Sequence, residues 1–284
     1  MSKPHSDRYT TRAVGTPDSL EYRLYFESNG STLSIWHDVP LYGDDDKQVL
    51  NMVVEIPRWS NAKFEISRNE AFNPIKQDIK DGKARFVRNL FPYKGYIWNY
   101  GALPGTWEDP SHVHPDTKHP GDNDPLDALE IGERIAYTGQ IKRVKVLGVM
   151  ALLDEGATDW KIVVIDINDP CASKLNSITD VQQHFPGLLE ATREWFKFYK
   201  VPDGKKPNTL ALNEEFRDQD YAMSIVQECE KAWEKLINGE AFAEEISVVR
   251  GDKSHRLLDS GNSLGVDGHQ SADENLDKWF FLPK

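Results

Sequence analysis

The sequence predicts a mainly β fold with flanking helices, α+β in class, on two observations. Between Leu20 and Ile167 short β-branched and aromatic runs alternate with turn residues, and helical spacing appears only beyond residue 187. Such a density of short strands suits a barrel or a sandwich. The strand candidates, in order, are LEYRLYF, STLSIWHDVP, VLNMVVEIP, KFEIS, ARFVRNL, GYIWNYGALP, RVKVLGVMALLD and WKIVVIDI. Leu188, Leu189, Thr192, Trp195, Phe196 and Tyr199 then recur at helical intervals, as do Ala222, Ile225, Val226, Cys229, Ala232, Trp233 and Leu236. Two helices packed on the β core are therefore expected. From Gly239 to Asn275 Gly, Ser and charge dominate without periodicity, which predicts a mobile or extended tail, while the closing DKWFFLPK is aromatic enough to dock. The expected organisation is one domain over 1–238 and a tail over 239–284.

Composition excludes several function classes. Lys plus Arg is 34 against 46 Asp plus Glu, a net charge of −12 over 284 residues. That field repels a polyanion, so no nucleic-acid partner is expected. The longest apolar run, Val146 to Leu153, is eight residues, far short of the roughly 20 that span a bilayer, so no membrane partner is expected either. Cys171 and Cys229 lack any CxxC spacing and read as reduced. The first 18 residues are polar, and the expected location is cytoplasmic.

The densest chemical signal is GDNDPLD, with Asp122, Asp124 and Asp127 in one turn. Either it is a solvated acidic loop, or its carboxylates share hard cations such as Mg²⁺, Mn²⁺ or Ca²⁺. An EF-hand fails, because Asp127 stands where that loop needs Gly, and Pro125 intrudes. A second acidic segment, LLDEGATDWK, carries Asp154 and Asp159. In extended form Asp159 and Lys161 share a face, as do Lys63 and Glu65 in KFEI, and Glu55 alternates with Val54 and Ile56. Arg85 alternates with Phe86. Tyr96, Trp98 and Tyr100 line one face of GYIWNYG, where tyrosines ordinarily pack with a satisfied hydroxyl. Tyr199 likewise reads as a packing residue and Lys200 as a helix-end charge. His112, His114 and His119 read as a solvated loop. The chain repeatedly seats charges inside apolar strand-like segments, which is costly unless they meet one another or a ligand.

These motifs resemble the soluble inorganic pyrophosphatases of the Mg²⁺-dependent family I in their longer eukaryotic form. The carriers are VVEIPRWSNAKFEI, RFVRNLFPYKGYIWNYGALPGTWEDP, the DxDPxD of GDNDPLDALEIG, KVLGVMALLDEGATDWK and FPGLLEATREWFKFYKVPDGK. The resemblance implies a closed five-stranded OB-like β-barrel with flanking helices, a cytosolic homodimer, and hydrolysis of pyrophosphate to phosphate by metal-activated water without a covalent intermediate. It implies that Asp122, Asp127 and Asp159 hold activating metals, with Asp127 bridging two. It also implies that Asp154 helps bind the metals that arrive with substrate and that Glu65 acts through metal-bound water, with Glu55 completing the metal-holding acidic wall. Asp124 is implied as the base that deprotonates the attacking water and Tyr96 as a proton donor. Lys63, Arg85, Tyr100, Lys161, Tyr199 and Lys200 match phosphate ligands. In this set seven carboxylates outnumber four Lys and Arg side chains, and the substrate tetra-anion adds to the excess. Roughly three or four divalent cations restore the balance, Mg²⁺ first and Mn²⁺ as a substitute, with Ca²⁺ expected to inhibit. Two alternatives stand beside this reading: a noncatalytic divalent-ion-binding OB-like module, and a metal-dependent hydrolase of organic phosphoanhydrides, for which no Walker loop is present.

Overall fold

Alternating apolar residues form most of the expected strands in the computed structural model, which describes residues 8–17, 19–241, 243–251 and 275–282. The chain opens with β1 (Thr10–Val14), β2 (Arg23–Ser28) and β3 (Ser31–Leu33), followed by β4 (Leu50–Ile56), β5 (Phe64–Ile66) and β6 (Ile75–Gln77). Short strands β7 (Ile79–Lys80), β8 (Lys83–Ala84) and β9 (Asn89–Leu90) lead to β10 (Asn99–Ala102), β11 (Asp127–Glu130) and the long hairpin of β12 (Ile141–Asp154) and β13 (Ala157–Asp166). Helices α1 (Ile178–His184), α2 (Leu188–Phe198) and α3 (Gln219–Ile237) follow, with β14 (Thr209–Leu210) and β15 (Arg217–Asp218) between the last two and β16 (Trp279–Phe280) at the end.

Five strands pair in a closed ring. The order runs β13, β11, β10, β4, β12 and back to β13, with β11–β13 parallel and the other four pairings antiparallel. A register shift between Val146 and Gly148 lets β12 pair with β4 through its first residues and with β13 along the rest. β10 presses hard on β4, since a Cβ at Gly101 would lie 1.9 Å from the Val53 carbonyl oxygen. Only glycine admits that approach, and it sets Tyr100 beside β11. An outer sheet of β1, β2, β6, β5 and β3 carries Glu65 on β5.

The hairpin buries both faces. Val146, Val149 and Ala151 pack with Ala222, Ile225 and Val226 of α3, whereas Leu147, Met150 and Leu152 pack with Leu189, Trp195 and Phe196 of α2. Both expected helices are present where their spacing placed them. α1 was not anticipated, because seven residues with Val181 alone buried make no apolar repeat; Ser177 Oγ caps it by accepting from the Asp180 N–H.

Three expected strands are corrected, the first being GYIWNYGALP, which is a strand only over Asn99–Ala102. ARFVRNL contributes only the ends that pair as β8 and β9, because its backbone is parcelled out: Arg85 N–H goes to Asp78 O and Val87 N–H to Asn61 O. STLSIWHDVP stops at Leu33, where the Asp38 carboxylate accepts the Ser34 N–H at 2.8 Å and turns the chain. At the other end, β16 docks in parallel on β9. Within the expected tail, Ala243 and Ile246 pack against the outer-sheet core; residues 252–274 lie outside the described set. Cys171 and Cys229 are free thiols, and no helix of the described residues is long and apolar enough to cross a membrane.

Candidate active site

The strand period turns sequence spacing into a wall of charge. On β13 Asp159 and Lys161 share a face, and Lys161 Nζ donates to Asp159 Oδ1 at 2.6 Å. The parallel register sets Lys161 opposite Asp127 of β11, to which it also donates. Tyr100 of β10 closes the group, its hydroxyl donating to Asp127 and accepting from Lys161 at 3.0 Å. Burial pulls the Lys161 ammonium down, but Asp127 and Asp159 outweigh it and hold its pKa well above the ordinary value.

A second limb comes from the outer sheet. Lys63 Nζ meets Glu65 at 2.6 Å and Asp78 at 3.4 Å, and Arg85 Nη1 meets Asp78 at 2.8 Å. Glu55 of β4 is buried and accepts the Ile66 N–H at 2.7 Å, which ties β4 to β5. The end of α2 supplies the third limb: Lys200 Nζ donates to Asp154 Oδ2 at 2.6 Å. The Tyr199 ring stacks on Trp195 at 4.7 Å. Tyr96 packs between Trp195 and Tyr100, where burial pushes its phenol up to about 12.

These limbs surround one cavity of about 150 Å³. All fourteen residues singled out from the sequence line it: Glu55, Lys63, Glu65, Arg85, Tyr96, Tyr100, Asp122, Asp124, Asp127, Asp154, Asp159, Lys161, Tyr199 and Lys200. Three neighbours were missed. Glu108 is buried, takes the Trp160 N–H on Oε1 at 3.0 Å, and has no hydrogen-bond partner on Oε2 among the described residues. One oxygen each from Glu108, Asp122 and Asp159 lie within 4.8 Å of one another. Asp78 joins Lys63 to Arg85, and Arg68 Nη1 stands 3.3 Å from Asp124 Oδ1. None of the three falls in a strand that alternates charge with apolar residues or in the acidic turn, the two signals that singled out most of the others.

Electrostatics leave the wall short of positive charge. Burial first, and neighbouring carboxylates second, push Glu55, Glu108 and Asp122 well above the usual carboxylate range. Burial raises Asp124 and Asp159 as well, against the pull of Arg68 and Lys161 respectively. An all-oxygen donor set with a buried, unpartnered carboxylate oxygen fits hard divalent cations. The histidines differ from expectation in part. His112 is exposed beside Glu228, but His114 is buried with its ring edge-on to Trp160 at 5.0 Å, so it packs where a solvated loop was expected.

Comparison with known proteins decides the family. The inorganic pyrophosphatase family model matches residues 52–234. The chain belongs to the inorganic pyrophosphatase family. It is 57% identical to the inorganic pyrophosphatase of Debaryomyces hansenii and 55% identical to that of Emericella nidulans, over 96% of this chain and 98% of each relative. The solved inorganic pyrophosphatase of Schistosoma japonicum is 45% identical, with a TM-score of 0.91 over 96% of this chain and 100% of that one. A truncated vacuolar soluble pyrophosphatase of Trypanosoma cruzi, solved in complex with PPi, is 40% identical with a TM-score of 0.76, over 81% of this chain and 91% of that one.

Proposed function

We propose how this chain carries out the activity of its family, hydrolysis of inorganic pyrophosphate to two orthophosphates: water attacks phosphorus directly, and Asp124 takes its proton. The observation that carries the reading is the convergence of seven carboxylates with Lys63, Arg85, Lys161 and Lys200 on one cavity. Asp122, Asp127 and Asp159 would hold divalent cations, with Glu108 beside them, and Asp154, Glu65 and Glu55 would complete the metal-holding wall. Three or four cations per site balance the wall and substrate, Mg²⁺ first and Mn²⁺ as a substitute. When bound, such ions neutralise phosphate oxygens and lower the pKa of coordinated water.

The side chains divide the remaining work. Asp124 faces the cavity from the turn at Asn123 (φ +72°) and accepts the proton on its carboxylate. Lys63 and Arg85, both joined to Asp78, bind substrate oxygens from one side, while Tyr100 and Lys161 bind from the β10–β13 side. Lys200 and Tyr199 reach in from the end of α2. Arg85, Lys161, Tyr199 and Lys200 hold the leaving phosphate, where cations and donors contribute most as charge grows. Tyr96, kept protonated by burial, donates a proton to the departing group. No step needs a Ser, His or Cys nucleophile.

The five-strand ring is, in this reading, the closed OB-like barrel of the family, with a catalytic domain over 1–238 and a tail over 239–284. A cytoplasmic homodimer completes it. The exposed aromatic group of Phe91, Trp279 and Phe281, with ring centroids 5.6 and 5.1 Å from Phe91, supports self-association. The test is orthophosphate release from pyrophosphate in excess Mg²⁺, repeated with EDTA, with Ca²⁺ and with ATP. Fast release that chelator and Ca²⁺ suppress, with little from ATP, is expected, and ¹⁸O from water must appear first in phosphate. Label on an enzyme residue, or no release from folded protein, overturns the mechanism.

A further inference from the structure

The segment 243–251 does not line the cavity but bonds to residues next to it, Arg68 and Asn123. Ser247 is its fixed point: its N–H donates to Arg68 O at 2.7 Å, and its carbonyl accepts from Asn73 Nδ2 and His37 Nε2, each at 3.1 Å. The indole N–H of Trp233 donates to His37 Nδ1 at 2.9 Å. An indole nitrogen only donates, so the imidazole proton sits on Nε2 and points at Ser247. Asn73 Nδ2 also reaches Arg68 O at 3.2 Å, so the Arg68 peptide is gripped by the buried Asn73 and by the segment together. The far end is tied down where Asp38 accepts from Arg250 Nε at 3.0 Å and from the Gly251 N–H at 2.7 Å.

Two threads run from this segment to Asp124. Arg68, its backbone held by Ser247, places Nη1 3.3 Å from Asp124 Oδ1. Glu244 O accepts at 3.5 Å from Nδ2 of Asn123, the residue before Asp124, whose Oδ1 takes the Trp107 indole N–H at 3.0 Å. A carboxylate on a turn swings about two torsions, and a proton acceptor must keep one oxygen aimed at the water.

We propose that Arg68 is a positioning residue that anchors Oδ1 of Asp124 and so aims its other oxygen at the attacking water, and that segment 243–251 holds Arg68 in place through Ser247. This rests on the assignment of Asp124 as the base. It gives the C-terminal segment a part in turnover while leaving substrate binding to the cavity cations.

A double-mutant cycle in the full chain tests it. Arg68→Ala is expected to lower kcat roughly tenfold with KM for magnesium pyrophosphate within about twofold, and Arg68→Lys to restore most of the loss. In an Asp124→Asn background the same Arg68→Ala change costs less than about twofold, because the group it aims is gone. Ser247→Pro, which removes the N–H to Arg68, lowers kcat in the parent but not in Arg68→Ala. Arg250→Glu, a surface change that reverses the outer anchor, acts in the same direction at smaller size and covers the case in which Ser247→Pro does not fold. A rise in KM with kcat intact, or an equal loss with Asp124 and with Asn at that position, overturns the positioning role. Full kcat in the folded segment variants overturns the part given to 243–251. Near-normal turnover of Asp124→Asn alone would instead remove the base assignment beneath the proposal.

Discussion

Strand β11 carries a carboxylate at each end, and the two ends of this strand obey different rules. At its last residue, Glu130 is buried and fully satisfied: Oε1 accepts the Gly132 N–H at 2.8 Å and the Asp166 N–H at 3.2 Å, while Oε2 accepts from Asn99 Nδ2 at 2.7 Å and Lys142 Nζ at 2.8 Å. Lys142 also reaches Asp166 at 3.2 Å. At its first residue, Asp127 joins Lys161, but around them stand Asp122, Asp159 and Glu108, with a buried Glu108 oxygen that has no partner among the described residues. The Glu130 cluster closes on itself and contributes to the fold. The Asp127 cluster keeps a buried carboxylate oxygen open, which fits the divalent cation proposed for it. Burial alone therefore does not mark a functional charge; the count of unsatisfied donors and acceptors does.

The largest effect expected is at the open end. Asp124→Asn should lower kcat about 10²- to 10⁴-fold in orthophosphate-release assays without lowering the thermal midpoint, since an amide cannot take the proton. At the closed end the effect moves to stability. Lys142→Ala should cost about 3–5 kcal/mol in urea titrations, because it leaves Glu130 buried and charged, with kcat per folded molecule unchanged. A loss below about 1 kcal/mol would mean that Glu130 does not depend on its lysine.

His37 offers a third kind of buried ionisable group, one satisfied only when neutral. Burial lowers its pKa from 6.5 to about 4, against the pull of Ser247 O and Asp38. Above pH 6.5 both folded and unfolded chains leave this imidazole neutral, and its contribution to stability is fully present. As pH falls from 6.5 towards 4 the unfolded chain takes the proton and the folded one does not, so up to about 3 kcal/mol is lost. His37→Gln should flatten that part of the pH dependence in urea midpoints; parallel curves for the two proteins would show that His37 titrates normally. The smallest effect is expected at Glu108. Glu108→Gln should weaken Mg²⁺ binding roughly tenfold by calorimetry and stabilise the cation-free protein, whereas Glu130→Gln should destabilise it. Equal signs for the two variants would erase the distinction between the ends of β11.

Much of the site was legible because β geometry converts sequence spacing into shared faces. Lys63 with Glu65 and Asp159 with Lys161 are pairs of the same parity, and each meets at 2.6 Å. The helices at 188–198 and 219–237 were legible for the same kind of reason, a 3.6-residue apolar repeat. The cavity as a whole was assembled from resemblance, since no spacing says that Glu55 and Lys200 line one wall. Glu108, Asp78 and Arg68 escaped because they sit outside both the alternating strands and the acidic turn. His114 was misplaced because a polar loop gives no sign that Trp160 will cover one of its rings. Whether a strand candidate pairs depended on where its backbone groups found partners, which residue types alone did not reveal for ARFVRNL.

The parallel pairing of β11 with β13 has a bearing on how the chain finds its fold. Asp127 lies opposite Lys161, and Ala128 opposite Ile162. A slip of one residue would exchange the faces, setting Ala128 against Lys161 and turning Asp127 into the apolar layer. The lysine would then keep only Asp159 of its own strand, while Asp127 would lie among apolar side chains without its ammonium partner, a state several kcal/mol above the native one. The same ion pair that lines the cavity thus acts as proofreading on sheet assembly, penalising misregistered chains before any substrate is met.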